Sequence, residues 1–469
     1  MRAESKPRPG LRSRLLSGGV WVVAGKILGG PVVVVTNMLL ARVLSPAELG
    51  AYFLAFSLVT VCATVAPLGA NRAVVRFVAE AIGLNSPAVA RSAVRHAIML
   101  GIGGSLVLAS VIYFGLGEWL AREVVHSQEL ADANDLVAAW IVPATMTLLI
   151  AEIFRGFHDL RWATLHGGLL GSLLTFLIIV ALHLSGVSMT LRVVVGVSFT
   201  ATVLGVLVAG FTLHRRVREL PSPAADRSLL GMLRVSLPLC VTTAIALLLQ
   251  QADIWLVGAF ESSEDVAIYG AAARLMFIVS VPLFMVNAVI QPMVAEYYSQ
   301  RRLDELQKLV RVAATVAAIP ALAALACAIA FAAPGLKLLY GDAYMAGAGV
   351  LVVLALGQMV NVWTGSCGIF LMMTGHERTL LTLTALTGLV SVALMAALVG
   401  PFGILGVAIG SALGVSLQNA VLWFAAGRLT GVWTNMGLRG LGDVLRVGRA
   451  EVARRRPASG PAAGPRPPA

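Results

Sequence analysis

The chain has 469 residues, of which 58% are hydrophobic and 12% are charged, and its formal net charge is +12. A soluble globular protein carries roughly 25% charged residues, so this composition excludes most soluble enzymes and all disordered chains. It also excludes an outer-membrane barrel, whose alternating strands give a much weaker hydropathy signal. An integral membrane protein made of many helices remains.

The first hydrophobic run follows a basic segment, residues 1–14, and resembles a signal peptide. We interpret it as a retained membrane helix, because it is too long for a signal core and Lys26 lies in its middle. Twelve apolar runs follow one another along the chain, six on each side of a polar stretch at 214–228. They lie at residues 16–40, 51–70, 96–116, 136–156, 163–183, 191–213, 233–260, 266–291, 310–331, 345–373, 379–399 and 402–426.

Basic residues are distributed unevenly between the loops. If the N-terminus is cytoplasmic, 29 of the 35 Lys and Arg residues fall inside, 4 fall outside, and Lys26 and Arg274 lie within spans. Cytoplasmic loops collect Lys and Arg, so we predict a multi-pass protein of the cell (inner) membrane with both termini in the cytoplasm. This asymmetry also explains the net charge, and we expect no nucleic-acid partner.

The two halves of the sequence resemble each other. Tyr52 aligns with Tyr269 and Asn71 with Asn287, so the copies keep a nearly constant offset. Six helices separate the copies, so both enter the membrane in the same orientation, as a parallel repeat. Two similar bundles that face each other are the geometry of an alternating-access transporter.

These observations predict an all-α polytopic membrane protein with about 12 transmembrane helices in two pseudo-symmetric six-helix lobes. The N-terminal lobe would comprise residues 15–213 and the C-terminal lobe residues 232–428, joined by a cytoplasmic linker at 214–231. Residues 1–14 form the basic cytoplasmic N-terminus. The tail at 429–469 is basic and Pro-rich, a composition typical of disorder.

Three stretches carry a family resemblance: LLARVLSPAELGAYFLA, NRAVVRFVAEA and LPLCVTTAIALLLQQADIWLVGAFESSEDVAIYGAAARL. They resemble the polysaccharide-exporter branch of the multidrug/oligosaccharidyl-lipid/polysaccharide flippase superfamily, over about residues 15–428. The resemblance implies two six-helix lobes around a central cavity. It also implies export of an undecaprenyl-diphosphate-linked glycan from the inner to the outer leaflet, with membrane lipid, an H⁺ or Na⁺ coupling ion and glycan-assembly proteins as partners. Lipid II flippases of this superfamily usually carry two extra helices, and no apolar run follows residue 426 here.

Lys26 is the first of the ionisable residues inside the predicted spans, and such residues are functional candidates because their burial costs at least about 2.5–3.5 kcal/mol each. It lies about 15 Å into the first helix, near the midplane, at 1.5 Å per residue. Gly29-Gly30-Pro31 follows and is expected to break or bend the helix. We expect Lys26 to bind the substrate phosphates or, alternatively, to pair with an acid on another helix.

Asp253 and Arg274 lie on consecutive antiparallel helices, each about 10–12 Å from the outer end at 1.5 Å per residue. They form either a structural ion pair or a site in which Arg274 binds the anionic lipid headgroup and Asp253 binds the coupling cation. The repeat places Asn37 at the position of Asp253 in the first lobe. Glu152, near the inner end of the fourth helix, could accept Arg155, Lys26 or a cation.

Two other functions compete with a flippase. A cation-coupled drug antiporter on the same fold needs an acidic site, for which Asp253 and Glu152 are the candidates. A membrane glycan polymerase or ligase needs catalytic residues in a sizeable outer loop. The largest outer loop, at about 117–135, holds one Arg and one His, so we expect no enzyme. The four cysteines and seven histidines lack metal-ligand spacing, and we expect no metal, cofactor or disulfide.

Overall fold

A computed structural model of the chain describes residues 11–221 and 229–437. The remaining parts of the predicted N-terminus, linker and tail lie outside the described residues. The described α-helices are α1 Leu11–Val43, α2 Pro46–Val65, α3 Ala70–Gly83, α4 Pro87–Val111, α5 Gly117–Trp119, α6 Gln128–Asp132, α7 Asn134–Gly156, α8 Leu160–Thr164, α9 Leu170–Leu184, α10 Leu191–Arg218, α11 Leu229–Phe260, α12 Ser263–Ser299, α13 Leu303–Ala330, α14 Ala332–Leu339, α15 Ala348–Thr364, α16 Cys367–Met373 and α17 Glu377–Thr430.

The predicted polytopic all-α fold is confirmed. Within the described ranges, ten helical stretches are long and apolar enough to cross a membrane. One of them, α17, contains two arms, because Gly403 has φ 59° and ψ −142° and interrupts the helix just after Pro401. In α1 the described apolar stretch, Leu28–Val43, is shorter than these ten and forms the end of a 33-residue helix. These helices correspond to the twelve apolar runs of the sequence.

Two equivalent helices, α2 and α12, begin with the same local device. Ser45 accepts a hydrogen bond from the backbone N–H of Glu48 at 3.3 Å, and the Glu48 carboxylate accepts one from the Ser45 N–H at 3.0 Å. Ser262 and Asp265 make the matching capping box, with the Asp265 N–H 3.2 Å from the Ser262 hydroxyl oxygen. Both pairs satisfy backbone donors that a helix N-terminus leaves free. The spacing between the two boxes is the offset of the sequence repeat.

The two halves of the chain meet where α2 packs against α12. We call the end of the bundle at which α2 and α12 begin the far end. The opposite end, where α10 ends and α11 begins, is the linker end. A β-carbon on Gly50 would overlap the carbonyl oxygen of Ser263, so the glycine lets the two helix backbones touch. The largest core cluster joins both halves, with Phe53 of α2 and Tyr269 of α12 almost fully buried in it.

The sites where the helices break differ from the sequence expectation. α1 continues from Leu11 to Val43 and does not break at Gly29-Gly30-Pro31. Membrane helices tolerate proline because neighbouring helices and local adjustments satisfy the freed backbone groups. The fifth crossing is interrupted instead, at a π-helical turn where Gly168 has φ 122°. Only glycine adopts such a conformation readily.

Two further details concern the ends of the elements. The described residues after residue 428 pack against the helix bundle. The Thr434 hydroxyl donates a hydrogen bond to the Thr364 carbonyl at 2.8 Å. The backbone N–H of Trp433 donates to the Gln307 side chain at 3.2 Å.

Three of the four cysteines are buried as small apolar residues, whereas Cys327 is exposed on the surface of α13.

Candidate functional site

A cavity of about 330 Å³ lies inside the helices of the first half. Its wall combines hydroxyl groups with aromatic rings. The hydroxyl and aromatic residues that line it are Thr36, Tyr52, Phe56, Thr60, Trp140, Thr147, Ser172, Thr175, Ser198 and Thr202. One lining residue, Arg274 of α12, comes from the second half of the chain. Among the described residues that line this cavity, Arg274 is the one with a permanent charge, and none is a carboxylate.

Arg274 reaches the cavity by crossing the interface between the two halves. Its guanidinium carbon lies 3.4 Å from the centre of the Phe53 ring on α2, a cation–π contact. Its Nη1 is 3.4 Å from the carbonyl oxygen of Gly270, one turn earlier on α12. A β-carbon on Gly270 would collide with Phe53. The glycine therefore leaves room for the ring on which Arg274 rests.

The structure places Asp253 against Tyr269 rather than against Arg274. The Tyr269 hydroxyl donates to a carboxylate oxygen of Asp253 at 3.1 Å. Asp253 lies two turns from the end of α11 and Tyr269 a little less than two turns from the start of α12, so the two residues are at a similar depth from the far end. Arg274 lies more than one turn deeper on α12. This difference in depth explains why Asp253 and Arg274 interact electrostatically without a contact of ion-pair length among the described residues.

Tyr52 and Tyr269 are equivalent residues with equivalent neighbours. Tyr52 lies beside Ser198 of α10, and Tyr269 lies beside Ser411 in the second arm of α17. The difference between the halves is the partner from the preceding helix. Asp253 holds the hydroxyl of Tyr269, whereas the first half has Asn37 at the matching position.

Asn37 is 5% exposed and lines the cavity. Its side-chain amide donates to the carbonyl of Val33 at 2.8 Å, which fixes its orientation on α1. The cavity therefore contains two of the residues selected from the sequence, Asn37 and Arg274. Its wall therefore includes a side-chain amide and a guanidinium.

His166 is a cavity residue that the sequence argument missed. It is 3% exposed and stacks on Trp162, with ring centroids 5.3 Å apart. Its Nε2 is 3.0 Å from the hydroxyl oxygen of Thr212, whose own hydrogen is directed at the Ala209 carbonyl 2.8 Å away. Both contacts are satisfied when Nε2 carries the proton, a tautomer in which Nδ1 is an acceptor. Nδ1 is buried and has no partner among the described groups. The pattern His-Gly-Gly inside an apolar run is the signal that could have identified this break and its histidine.

Glu152 lies outside the cavity. It forms an ion pair with Arg155, one turn later on α7, and its side chain is 16% exposed. This local pair satisfies the carboxylate near the linker end of α7. The structure therefore does not bring Glu152 together with Asp253 or Arg274.

Lys26 belongs to α1, and its side chain lies outside the described residues. The backbone position follows from its neighbour Gly25, where a β-carbon would overlap the methyl group of Thr164 at the end of α8. α8 forms the first turn of a crossing that starts at the linker end. α1 ends at Val43, which lies at the far end. The segment from Lys26 to Val43 is long enough to cross most of a bilayer core. Lys26 therefore lies near the linker end, whereas the sequence placed it near the midplane.

Metal binding gains no support from the described residues, which contain no group of three or more His, Cys, Asp and Glu side chains suited to a metal ion. The chemical resources of the cavity are a guanidinium, an amide, an imidazole acceptor, hydroxyls and aromatic rings. Groups of these kinds can form hydrogen bonds with anions and with sugar hydroxyls.

Several solved structures share this architecture. An inward-facing multidrug resistance MATE family transporter of the MOP superfamily has a TM-score of 0.69 at 18% identity, over 91% of this chain and 96% of that one. The lipid II flippase MurJ in an inward closed conformation has a TM-score of 0.69 at 13% identity, over 93% of both chains. A MOP superfamily transporter from Pyrococcus furiosus gives 0.63 at 18% identity, over 91% and 99%. The chain has the fold of the MOP-superfamily transporters and flippases.

Two protein-family models match the sequence. The model described as polysaccharide biosynthesis protein matches residues 15–298, more than half of the chain. The MatE model matches residues 238–396. No curated protein matches the sequence. The chain belongs to the polysaccharide biosynthesis protein family, which confirms the resemblance found in the sequence, and its homologues at family level are transporters and flippases.

Proposed function

We propose that this protein is a flippase that moves an undecaprenyl-diphosphate-linked oligosaccharide from the inner to the outer leaflet, for surface polysaccharide biosynthesis. The observation that carries the proposal is the charge of the cavity. Its described wall holds one guanidinium, Arg274, and no carboxylate. A diphosphate needs a cationic partner, and a guanidinium binds phosphate oxygens through two parallel hydrogen bonds.

The rest of the cavity wall suits a sugar. Trp140 and Tyr52 provide aromatic surface, and Thr and Ser hydroxyls surround them. The cavity is large enough for the phosphates and the first sugar, while the polyprenyl chain remains in the membrane.

Two basic residues at different depths suggest a path for the phosphates. Lys26 lies near the linker end, which the distribution of basic residues assigns to the cytoplasm. It would meet the diphosphate at the level of the inner-leaflet headgroups. Arg274, about three turns into α12 from the far end, would hold it near the midplane while the lobes change conformation. An inside-negative potential favours outward movement of the anion by about 2.3 kcal/mol per charge per 100 mV.

The far end is closed where Gly50 of α2 packs against Ser263 of α12. With this end outside, as the distribution of basic residues favours, the closed far end would be an inward-facing state. Alternating access requires these helices to separate. Asp253 bonds Tyr269 of α12 and interacts electrostatically with Arg274. We infer that Asp253 is the residue for an H⁺ or Na⁺ coupling ion, with Asn37 as its neutral counterpart. Glu152 is a weaker candidate because Arg155 already satisfies it.

A cation-coupled drug antiporter is the second candidate function. The MatE model covers residues 238–396, which include Asp253. An antiporter for cationic drugs would place a carboxylate in contact with its substrate. Asp253 instead bonds Tyr269 and does not line the cavity.

The proposal is tested by Arg274→Gln, Arg274→Lys and Lys26→Ala, with membrane abundance and surface glycan measured in the same strain. The control is Arg122→Gln, which removes an exposed partner of Glu118. Loss of a charge-assisted bond to phosphate costs about 1.5–3 kcal/mol, so Arg274→Gln and Lys26→Ala should reduce export at least tenfold at normal abundance. Arg274→Lys should retain part of it. Normal glycan in Arg274→Gln cells would refute the proposal.

A further inference from the structure

A second cavity, of about 660 Å³, lies at the linker end between α4, α7 and α10. It shares no lining residue with the first cavity. Three basic side chains, Arg91, Arg95 and His214, line one part of it. The apolar lining residues are Val94, Ile98, Met99, Ile102, Met146, Ile150, Val206, Leu213 and Val217.

The cavity is a groove that opens on the outer surface of the helix bundle. Met146 and Ile150 of α7 are buried and form its floor, whereas Met99 and Ile102 of α4 are 57% and 43% exposed. Helix α7 lies between α4 and α10 and packs against both. An exposed apolar rim over a buried apolar floor fits a hydrocarbon chain.

The basic side chains lie at one end of this groove. Arg91, Arg95, Met99 and Ile102 are spaced three or four residues apart, so they share one face of α4. The distance from Arg91 to Ile102 is about 16 Å at 1.5 Å per residue. One leaflet of the hydrocarbon core is about 15 Å thick, half of the full core. The groove is therefore about as long as one leaflet is thick, with its basic residues at the linker end.

The basic end of the groove is partly preorganised. Nη1 of Arg91 donates to the backbone carbonyl of Leu220 at 2.9 Å, which ties α4 to the end of α10. This bond orients the Arg91 guanidinium, which carries five N–H donors in all, at the linker end of the groove. The exposed His214 faces the same groove from α10.

We propose that this groove binds an anionic phospholipid of the adjacent leaflet, with its phosphate at Arg91, Arg95 and His214 and one acyl chain along Met99 and Ile102. Basic pockets between membrane helices on the cytoplasmic side are suited to anionic headgroups. The bound lipid fills the gap between α4 and α10 and joins them over α7. This site is separate from the cavity of the proposed flippase and does not depend on its substrate.

Gly210 of α10 allows a direct test, because it lines the groove and a β-carbon there would meet no atom within 4 Å. Gly210→Leu should fill the groove without a clash in the protein. Gly103→Leu is the matched control, since Gly103 is an exposed α4 residue with equally open space that does not line the groove. Arg95→Gln with His214→Gln removes the charges instead. Arg215→Gln, at the next residue of α10 and outside the groove, is its control.

The experiment is native mass spectrometry of the purified full chain with palmitoyl-oleoyl-phosphatidylglycerol, the matching phosphatidylcholine, or inorganic phosphate. Arg95→Gln alone should weaken phosphatidylglycerol binding roughly fivefold, the equivalent of about 1 kcal/mol per basic residue. Gly210→Leu should abolish this binding, and both controls should bind normally. The thermal stability gained from phosphatidylglycerol should disappear in the same variants.

Three outcomes would overturn the assignment. Equal binding of phosphatidylglycerol by Gly210→Leu and Gly103→Leu would place the lipid elsewhere. Equal binding of phosphatidylcholine would show that the basic residues do not select the headgroup. Stabilisation by inorganic phosphate alone would reduce the groove to an anion site. None of these results depends on flippase activity, so failure here leaves the proposed function standing.

Discussion

Gly50→Ala should open the far end of the protein. A β-carbon at this position would overlap the Ser263 carbonyl oxygen, and it would lie 2.8 Å from the Ser263 carbonyl carbon and 3.2 Å from the Ala267 nitrogen. These atoms are backbone, so no side-chain rotation relieves the overlap and the two helices must separate. Overpacking of this kind costs about 1–3 kcal/mol. A penalty of this size, present only when the far end is closed, shifts the population toward the open state roughly 5- to 150-fold.

The separation can be measured by electron–electron resonance between spin labels at Ala47 and Glu264, near the starts of α2 and α12. The parent protein for labelling carries cysteines only at the two label positions. Its four native cysteines are replaced, namely Cys62, Cys240, Cys327 and Cys367. Gly50→Ala should add a longer distance between the labels that the parent protein populates weakly. Gly83→Ala is the control, because its β-carbon would meet nothing within 4 Å.

A Gly50→Ala protein with the same distance distribution as the parent and Gly83→Ala would refute the argument. It would mean that α2 and α12 close without the contact between Gly50 and Ser263. Normal helix content in all three proteins excludes misfolding as the cause of any difference.

Two further predictions concern the hydrogen bond between Tyr269 and Asp253 and the orientation of the chain in the membrane. The Tyr269 hydroxyl bonds a carboxylate, so Tyr269→Phe and Asp253→Ala should show a coupling free energy of about 1.5–3 kcal/mol in a double-mutant cycle of thermal unfolding in detergent; additive effects within about 0.5 kcal/mol would contradict the bond's contribution. A reporter fused after Ala469 should be active only in the cytoplasm, and external labelling of the fusion would contradict the proposed orientation.

Periodic features of the sequence predicted the fold well. Twelve apolar runs correspond to the described helices because spans require about 20 apolar residues whatever their neighbours. The offset of the repeat is also the spacing between the two capping boxes, which SPAE and SSED form at Ser45 and Ser262. These features depend on nearby residues alone, so the sequence contains them directly.

The site depended on contacts that the sequence does not contain. Asp253 and Arg274 were placed at equal depth because the helix ends were estimated from hydropathy. In the structure α12 begins at Ser263, which puts Tyr269 level with Asp253 and Arg274 deeper. The reach of Arg274 across the interface to Phe53 follows from the packing of α2 on α12, which no local pattern specifies. His166 was missed for the same reason, since it gains significance only from the cavity around it.

The central claim is that the cavity around Arg274 carries a lipid-linked diphosphate glycan. The most direct measurement uses sealed vesicles that contain the purified protein and undecaprenyl-diphosphate-linked oligosaccharide, with glycan accessibility to an external enzyme followed over time. The account predicts protein-dependent transfer across the bilayer that is at least tenfold slower with Arg274→Gln. No transfer of this lipid by the folded parent protein, together with transport of a cationic drug in the same vesicles, would contradict it.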